Sequence, residues 1–143
     1  MFLPQKPYMS LGTLLEQIVY PRSSNEFSHK EILDALNQLS IGYLATDHGL
    51  NTTKDWGRVL SVGEQQRIAF TRVILNLPKL VILDEATSAL DINNENMAYK
   101  LLDELSIQYI SVGHRENLLN FHQTILNIEA VSYTHLTLPT NGT

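Results

Sequence analysis

Apolar residues at helical spacing mark three predicted helices along the chain. Ser28 begins the first helix, and Glu31, three residues later, completes a capping box. The apolar stripe of that helix consists of Ile32, Leu33, Leu36 and Leu39. A second helix is predicted from 63 to 77, where Pro78 ends it, and a third over 92–105.

Short apolar runs between the helices predict strands at 80–83, 109–112 and 124–128. The run at 80–83 is continuously apolar and ends in acidic residues, which is typical of a buried strand in a parallel sheet. The apolar stub at 1–3 precedes a proline, and we interpret it as the end of another strand. Because strands and helices alternate, the pattern predicts an α/β domain with a mainly parallel sheet flanked by helices.

The segments that link these elements are less regular. Residues 14–20 form a short amphipathic segment that Pro21 closes, and residues 116–120 are predicted to form a short helix. Residues 42–55 are rich in glycine, asparagine and threonine, which predicts a connection between helices.

The last residues, 131–143, show neither the helical period nor the strand alternation of the preceding segments. Their sequence, VSYTHLTLPTNGT, alternates threonine and leucine in a way that nothing before it does. We interpret this segment as a non-native tail, resembling a translated adapter sequence, so that the domain spans 1–130. A native, poorly ordered tail is the alternative.

Composition narrows the class of protein. A chain of 143 residues with 43% hydrophobic content suits one packed domain, and its net charge of −5 argues against a nucleic-acid partner. The absence of cysteine excludes disulfides, zinc fingers and thiol catalysis. No run approaches the ~18 apolar residues of a membrane span. We therefore expect this part to be soluble and cytosolic, with any membrane attachment supplied by other sequence or by partners.

The segment LSVGEQQR at 60–67 is a candidate anion site. Ser61 and Gly63 stand at the start of a predicted helix, where free N–H groups carry partial positive charge. Glycine permits close approach of the backbone, and the serine hydroxyl adds a donor. Taken alone, the segment fits an ordinary helix N-cap equally well.

Two further candidates follow predicted strands. In LVILDE at 80–85, Asp84 could hold Mg²⁺ through water, and Glu85 could act as a general base or orient an attacking water. An exposed acidic turn is the alternative. His114 follows the strand at 109–112, at the edge where parallel sheets bind ligands, and could donate a hydrogen bond to a phosphate. For an isolated histidine, a surface or capping role is the alternative.

Together these motifs resemble those of an ABC ATPase. Gln5 in FLPQKPY, LSVGEQQR, LVILDE, SALD at 88–91 and His114 are similar, in order and spacing, to its Q-loop, signature, Walker B, D-loop and H-loop. The resemblance covers 1–129. Within it, FLPQKPYMSLGTLLEQIVYP and DWGRVLSVGEQQRIAFTRVILNLP resemble the peroxisomal fatty-acyl half-transporters and their bacterial relatives, a subfamily that includes uptake proteins for peptides and cobalamin.

The resemblance implies a P-loop NTPase-like fold, of which this chain is a fragment with part of the helical signature subdomain. It also implies ligand-binding roles. Gln5 matches the glutamine that contacts Mg²⁺ and the attacking water and relays nucleotide state to the membrane helices. Ser61, Gly63 and Gln65 match the signature, which in the family covers the γ-phosphate of an ATP held by the opposite subunit. The signature departs from the family pattern at Val62, where many members have glycine.

The remaining roles implied by the resemblance are catalytic and interfacial. Asp84 matches the residue that holds Mg²⁺, and Glu85 the catalytic base beside the γ-phosphate. Asp91 matches the residue that crosses the dimer interface and helps to position the catalytic groups, and His114 matches the switch histidine.

The implied function is that of the ATP-hydrolysing motor domain of an exporter-type half-transporter on the cytoplasmic face of a membrane. Its partners would be a transmembrane domain, in the same or another chain, and a second cassette in a homo- or heterodimer. Its cofactors would be ATP and Mg²⁺, with no nucleic acid. The alternative is a fragment of a soluble ABC ATPase of DNA repair or translation, although no heptad run typical of the repair type occurs.

The chain departs from the family at one motif. No glycine is followed by lysine, so G-x-x-x-x-G-K-[ST], the Walker A loop that cradles the phosphates, does not occur. We therefore predict that this polypeptide alone neither binds ATP tightly nor hydrolyses it. We also predict that it folds poorly, because sheet edge and core surface would be left uncovered.

Overall fold

The computed structural model describes residues 1–129, so the predicted tail at 131–143 lies outside the described residues. The described part of the chain contains three strands: β1 (Phe2–Leu3), β2 (Leu80–Asp84) and β3 (Gln108–Val112). The same residues contain six α-helices: α1 (Leu14–Val19), α2 (His29–Gln38), α3 (Tyr43–His48), α4 (Trp56–Val59), α5 (Val62–Asn76) and α6 (Ile92–Glu104). Short 3₁₀ helices occupy Ser24–Glu26 and Glu116–Phe121. The predicted α/β architecture is confirmed.

The sheet is parallel throughout, in the order β1-β2-β3. Phe2, Ile82 and Ile110 pair across the three strands, so they share one face of the sheet. Val81 and Leu83 lie on the other face and are buried. Every connection between parallel strands must cross over, and here the crossovers carry the helices.

The prediction of a buried strand at 80–83 is wrong for one of the two faces of β2. Leu80 and Ile82 are 39% and 38% exposed, and on the same face Ile110 and Val112 are 54% and 56% exposed. Side chains alternate across a strand, and within residues 1–129 only one face of the sheet is covered.

The predicted strand at 124–128 is also wrong, because this segment is irregular and pairs with no strand of the described chain. Ile125, Leu126 and Ile128 are 52%, 82% and 86% exposed. A strand requires a neighbouring edge to pair with, and apolar composition alone does not supply one.

The predicted helices are confirmed, including the capping box of α2. The Ser28 hydroxyl accepts a hydrogen bond from the Glu31 N–H at 3.2 Å, and the Glu31 carboxylate accepts one from the Ser28 N–H at 2.7 Å. Helix α5 ends at Leu77, which adopts a left-handed φ of 47° directly before Pro78.

The connection predicted at 42–55 contains a helix, α3, that the sequence pattern did not indicate. Ile41 and Leu44 are fully or almost fully buried, so two apolar residues suffice to hold this single short helix against the core. A helix of 6 residues is too short to display an apolar period. The helices α1 and α2 both pack on α5. Buried residues of α1 to α5 belong to one hydrophobic core, and these five helices are called the helical lobe. No helix within 1–129 has the length and apolar character needed to cross a membrane.

Candidate functional site

The carboxyl ends of the three parallel strands bring the acidic and histidine candidates to one edge of the sheet. Glu85 follows β2 directly, and its N–H donates to the Val112 carbonyl of β3 at 2.9 Å. Glu85 has a φ of 50°, a left-handed conformation that costs a residue with a Cβ about 1 kcal/mol. The strand ends therefore hold this carboxylate in a defined, strained position beside β3.

Glu85 and His114 are in direct contact. His114 Nδ1 lies 2.8 Å from Glu85 Oε1, while the histidine side chain is otherwise 84% exposed. An ionised carboxylate can only accept a hydrogen bond, so Nδ1 carries the proton in this contact. The neutral imidazole then presents Nε2 as an acceptor, and only the imidazolium could donate from Nε2 to a phosphate oxygen.

Asp84 and Gln5 lie at the same edge with few contacts. Asp84 is the exposed last residue of β2, on the open face of the sheet, and Gln5 is exposed two residues beyond β1. Among residues 1–129, no group of three or more His, Cys, Asp or Glu side chains could hold a metal by itself. The oxygen atoms of Asp84 and Gln5 fit Mg²⁺, which prefers oxygen ligands and keeps several waters.

The signature residue Ser61 is the N-cap of α5. Its hydroxyl oxygen accepts from the Glu64 N–H at 3.1 Å, and its own N–H donates to the Glu64 carboxylate at 2.9 Å. The ordinary capping role is thus present. It uses the hydroxyl as an acceptor, so the O–H proton of the exposed Ser61 stays available to an anion. Both interpretations of this serine are compatible.

Tyr43 of α3 adds a further bond to this helix start. Its hydroxyl donates to the Glu64 carboxylate at 2.6 Å. Burial opposes the charge on Glu64, but the hydrogen bonds from Tyr43 and Ser61 outweigh it and lower the pKa of this carboxyl. A charged carboxylate in the first turn also suits the helix dipole.

Gly63 permits close contact between α5 and the SALD turn at 88–91. A Cβ at this position would lie 3.1 Å from the Ala89 carbonyl oxygen. Asp91, at the end of the turn, caps α6 by accepting from the Asn94 N–H at 2.8 Å and is exposed. The signature and the SALD turn therefore meet within one chain.

Gln65 is placed differently from the other signature residues. Its side chain is 1% exposed, and its amide nitrogen donates to the Gly57 and Leu60 carbonyls at 3.1 and 2.9 Å. Its Oε1 has no hydrogen-bond partner within residues 1–129. In this position Gln65 stabilises the connection between α4 and α5, and a contact with nucleotide stays a prediction.

Arg115 and Glu95 belong to this region, and the sequence analysis did not identify them. The Arg115 guanidinium donates to the Thr87, Ser88 and Leu90 carbonyls at 3.3, 2.9 and 3.0 Å and contacts Glu95 at 3.3 Å. The sequence contained a signal: Glu95 lies on the apolar stripe of α6, where a buried carboxylate requires a partner.

Comparison with known proteins gives concordant results. The sequence profile of the family described as "ABC transporter" matches residues 3–88. An ABC transporter ATP-binding protein of Synechocystis sp. is 50% identical over 131 residues, which are 91% of this chain and 20% of that protein. The lysosomal cobalamin transporter of Homo sapiens is 40% identical, over 90% of this chain and 22% of that protein.

Two further relatives match over similar shares. The chloroplastic ABC transporter D family member 2 of Arabidopsis thaliana is 38% identical, over 90% of this chain and 22% of that protein. A solved bacterial Atm1-family ABC exporter with ATP bound superposes with a TM-score of 0.70 at 28% identity, over 82% of this chain and 21% of that chain. The chain thus spans about a fifth of the length of the relatives it matches.

Proposed function

Because this chain belongs to the ABC transporter family, we propose that it works as part of the ATP-hydrolysing motor domain of an exporter-type half-transporter. The single observation that carries the proposal is the contact between Glu85 and His114 at the carboxyl edge of the parallel sheet. A base held by a second titratable group, beside two oxygen ligands suited to Mg²⁺, fits hydrolysis of a phosphoanhydride.

The proposed mechanism assigns each group a proton or a charge. Glu85 accepts a proton from the water that attacks the γ-phosphate, and His114 holds the carboxylate in place through Nδ1–H. Loss of charge on Glu85 frees the imidazole to turn towards the phosphate. Mg²⁺, when bound, would neutralise charge on the phosphate oxygens, and Asp84 and Gln5 would hold it through oxygen atoms or bound water.

In the proposed mechanism, the N-terminal turn of α5 binds the phosphate anion. The hydroxyl proton of Ser61 and the N–H groups of the first turn would donate to the γ-phosphate of an ATP bound by a second cassette. Asp91 would lie at the interface between the two cassettes. The cassettes would lie on the cytoplasmic face of the membrane and would be attached to a transmembrane domain. The named relatives favour this transporter assignment over a soluble repair or translation ATPase.

A second part of the proposal concerns the 143-residue chain by itself. It lacks the G-x-x-x-x-G-K-[ST] motif, so it has neither the backbone cradle nor the lysine that hold the β- and γ-phosphates. We infer that the isolated chain neither binds ATP tightly nor hydrolyses it, and that activity belongs to the longer polypeptide that carries it.

Substitution of Glu85 tests the proposal in that longer polypeptide. Glu85→Gln keeps the size of the side chain but cannot accept the proton, so kcat for ATP hydrolysis should fall by about 100-fold or more. Binding of a fluorescent ATP analogue should stay within about twofold of wild type. Phosphate release and analogue titration measure the two quantities.

The matched control is Glu104→Gln, which removes an exposed carboxylate from α6 and should leave both quantities unchanged. If Glu85→Gln retains kcat within about threefold, Glu85 is not the base. If the wild-type polypeptide shows no ATP hydrolysis, the ATPase assignment itself is wrong.

A further inference from the structure

The side chain of Gln66 joins three separate segments of the chain. It is 0% exposed and lies on α5, one residue after Gln65. Its Nε2 donates to the Gln5 carbonyl oxygen at 2.7 Å and to the Ser88 hydroxyl at 3.1 Å. Its Oε1 accepts from the Ala89 N–H at 2.9 Å. Both N–H groups and the carbonyl of the amide are therefore used.

No other side chain plays this part within residues 1–129. The partners of Gln66 lie 61, 22 and 23 residues away along the chain, so none of the bonds is a local helix contact. Gln5 has no further hydrogen bond in the described chain that reaches the SALD turn. Within residues 1–129, the hydrogen-bonded link between the Gln5 segment and that turn is the amide of Gln66.

The chemistry of the site requires an amide of this length. Two of its partners, a carbonyl and a hydroxyl oxygen, accept, while the third, a backbone N–H, donates. Glutamate could accept from Ala89 but could not donate to the Gln5 carbonyl, and leucine could do neither. A buried backbone group left without its partner is unfavourable, so such replacements should change the position of the turn.

The SALD turn is also held on its other side. Arg115 donates to the carbonyls of Thr87, Ser88 and Leu90, and it is bonded in turn to the buried Glu95. A turn bonded at both its N–H and its carbonyl groups moves as a unit. A displacement of the Gln5 backbone must then move the turn or break the Gln66 bonds.

We propose that Gln66 is a positioning residue that couples the Gln5 segment to the SALD turn, so that Gln5 and Asp91 take up matched positions. The inference rests on the proposed function, in which Gln5 serves the metal side of one site and Asp91 the interface with a second cassette. Gln66 is buried between the segments and acts through them.

Enzyme kinetics of the longer polypeptide test the coupling. Gln66→Leu removes all three hydrogen bonds at similar size. Gln66→Glu removes the bond to the Gln5 carbonyl, which can only accept, whereas the Ser88 hydroxyl can turn and donate to the carboxylate. Both should lower kcat about tenfold while KM for ATP stays within about twofold, because Gln66 does not touch the nucleotide. The control, Thr71→Val, removes a buried hydroxyl on the same helix whose bond to the Arg67 carbonyl is local. It should leave kcat within about twofold.

Combination with Asp91→Ala distinguishes positioning from a merely structural role. If Gln66 acts through the SALD turn, the double variant should have a kcat within about twofold of that of Asp91→Ala alone. Effects of the two substitutions that multiply would overturn the proposal, as would a kcat near wild type in both Gln66 variants.

Hydrogen exchange supplies a test that needs no ATPase activity. The Ala89 amide should exchange faster in Gln66→Leu than in wild type, and it should stay protected in Gln66→Glu, which retains the acceptor. Unchanged amide exchange over 86–91 in Gln66→Leu would refute the proposed coupling even if the polypeptide hydrolyses ATP. Absence of ATP hydrolysis by the wild-type polypeptide, with the exchange result as expected, would instead remove only the proposed function.

Discussion

At the residue scale, the start of α5 has a capping role that is compatible with the proposed anion site. Ser61 caps the helix with its oxygen, which leaves its hydroxyl proton able to donate, and Gly63 leaves room for the Ala89 carbonyl. Sequence alone could place both residues at the helix start, because a capping box is a contact between residues three apart. It could not distinguish a cap from an anion site, which are compatible in the structure.

Acidification should reveal the contribution of the Tyr43–Glu64 bond. The folded-state pKa of Glu64 is lowered, so its charged form stabilises the fold at pH values above the ordinary pKa of 4.5. That contribution is lost as the pH falls from there through the lowered value. Tyr43→Phe should therefore destabilise by about 1 kcal/mol or less at pH 7, and the difference from wild type should shrink below pH 4.5.

Thermal denaturation of the longer polypeptide at a series of pH values measures this difference. Thr71→Val serves as the control, since it removes a hydroxyl that bonds only to a backbone carbonyl. A gap between Tyr43→Phe and wild type that stays constant down to acidic pH would show that the charge of Glu64 does not depend on the tyrosine.

At the element scale, α6 illustrates both the strength and the limit of periodicity. Its bounds were predicted to within one residue at the C-terminal end, and its buried stripe is Glu95, Ala98, Tyr99 and Leu102. The stripe includes a fully buried carboxylate that periodicity treats as a polar position. The hydrogen-bond partners of the Glu95 carboxylate come from other elements. They are the Thr87 hydroxyl at 2.6 Å, the Asn117 amide at 2.7 Å, and Arg115.

Removal of the Arg115 guanidinium should lower the free energy of unfolding through its effect on α6. Arg115→Met leaves the 0% exposed Glu95 carboxylate with neutral partners only, and we expect a loss of about 3 kcal/mol in the free energy of unfolding. Lys100→Met is the control, because it breaks an exposed pair with Glu104 on the same helix and should cost about 0.5 kcal/mol or less. Melting temperatures of the two variants, measured in the longer polypeptide, provide the comparison. Equal shifts would contradict the expected role of burial.

The two elements that sequence reasoning misjudged have opposite physical causes. Helix α3 is stabilised by burial of Leu44 against the lobe, although its own 6 residues show no period. The segment at 124–128 has strand-forming residues but finds no strand to pair with in the described chain. Both outcomes were decided by neighbours that lie far away in sequence.

At the scale of the whole molecule, one face of the sheet is open within residues 1–129. The exposed apolar side chains on that face are Phe2, Leu80, Ile82, Ile110 and Val112. Three strands with one uncovered apolar face are a poor independent fold, because burial of apolar surface is the main driving force of folding.

The isolated 143-residue chain should therefore lack both a cooperative thermal transition and tight ATP binding. Calorimetric titration with MgATP should give no dissociation constant at or below about 1 mM. The longer polypeptide in detergent or nanodiscs is the positive control. A cooperative transition would refute the first expectation, and a millimolar or tighter complex would refute the second.

The sequence by itself determined the parts of this protein that depend on short-range physics. The capping box at Ser28 and the helical period predicted α2, α5 and α6, and the order of motifs indicated the family. These signals arise between residues a few positions apart, or from composition, and they need no knowledge of packing.

Only the tertiary structure decided the contacts between distant segments. The contacts that join distant segments are the bond of Glu85 to His114, the bonds of Gln66 to the Gln5 and SALD segments, and the bonds of Arg115 to the SALD turn. They join residues 22 to 61 positions apart. Such hydrogen bonds form only after strands and helices have packed, and each polar group then bonds to whichever partner the packing leaves within reach.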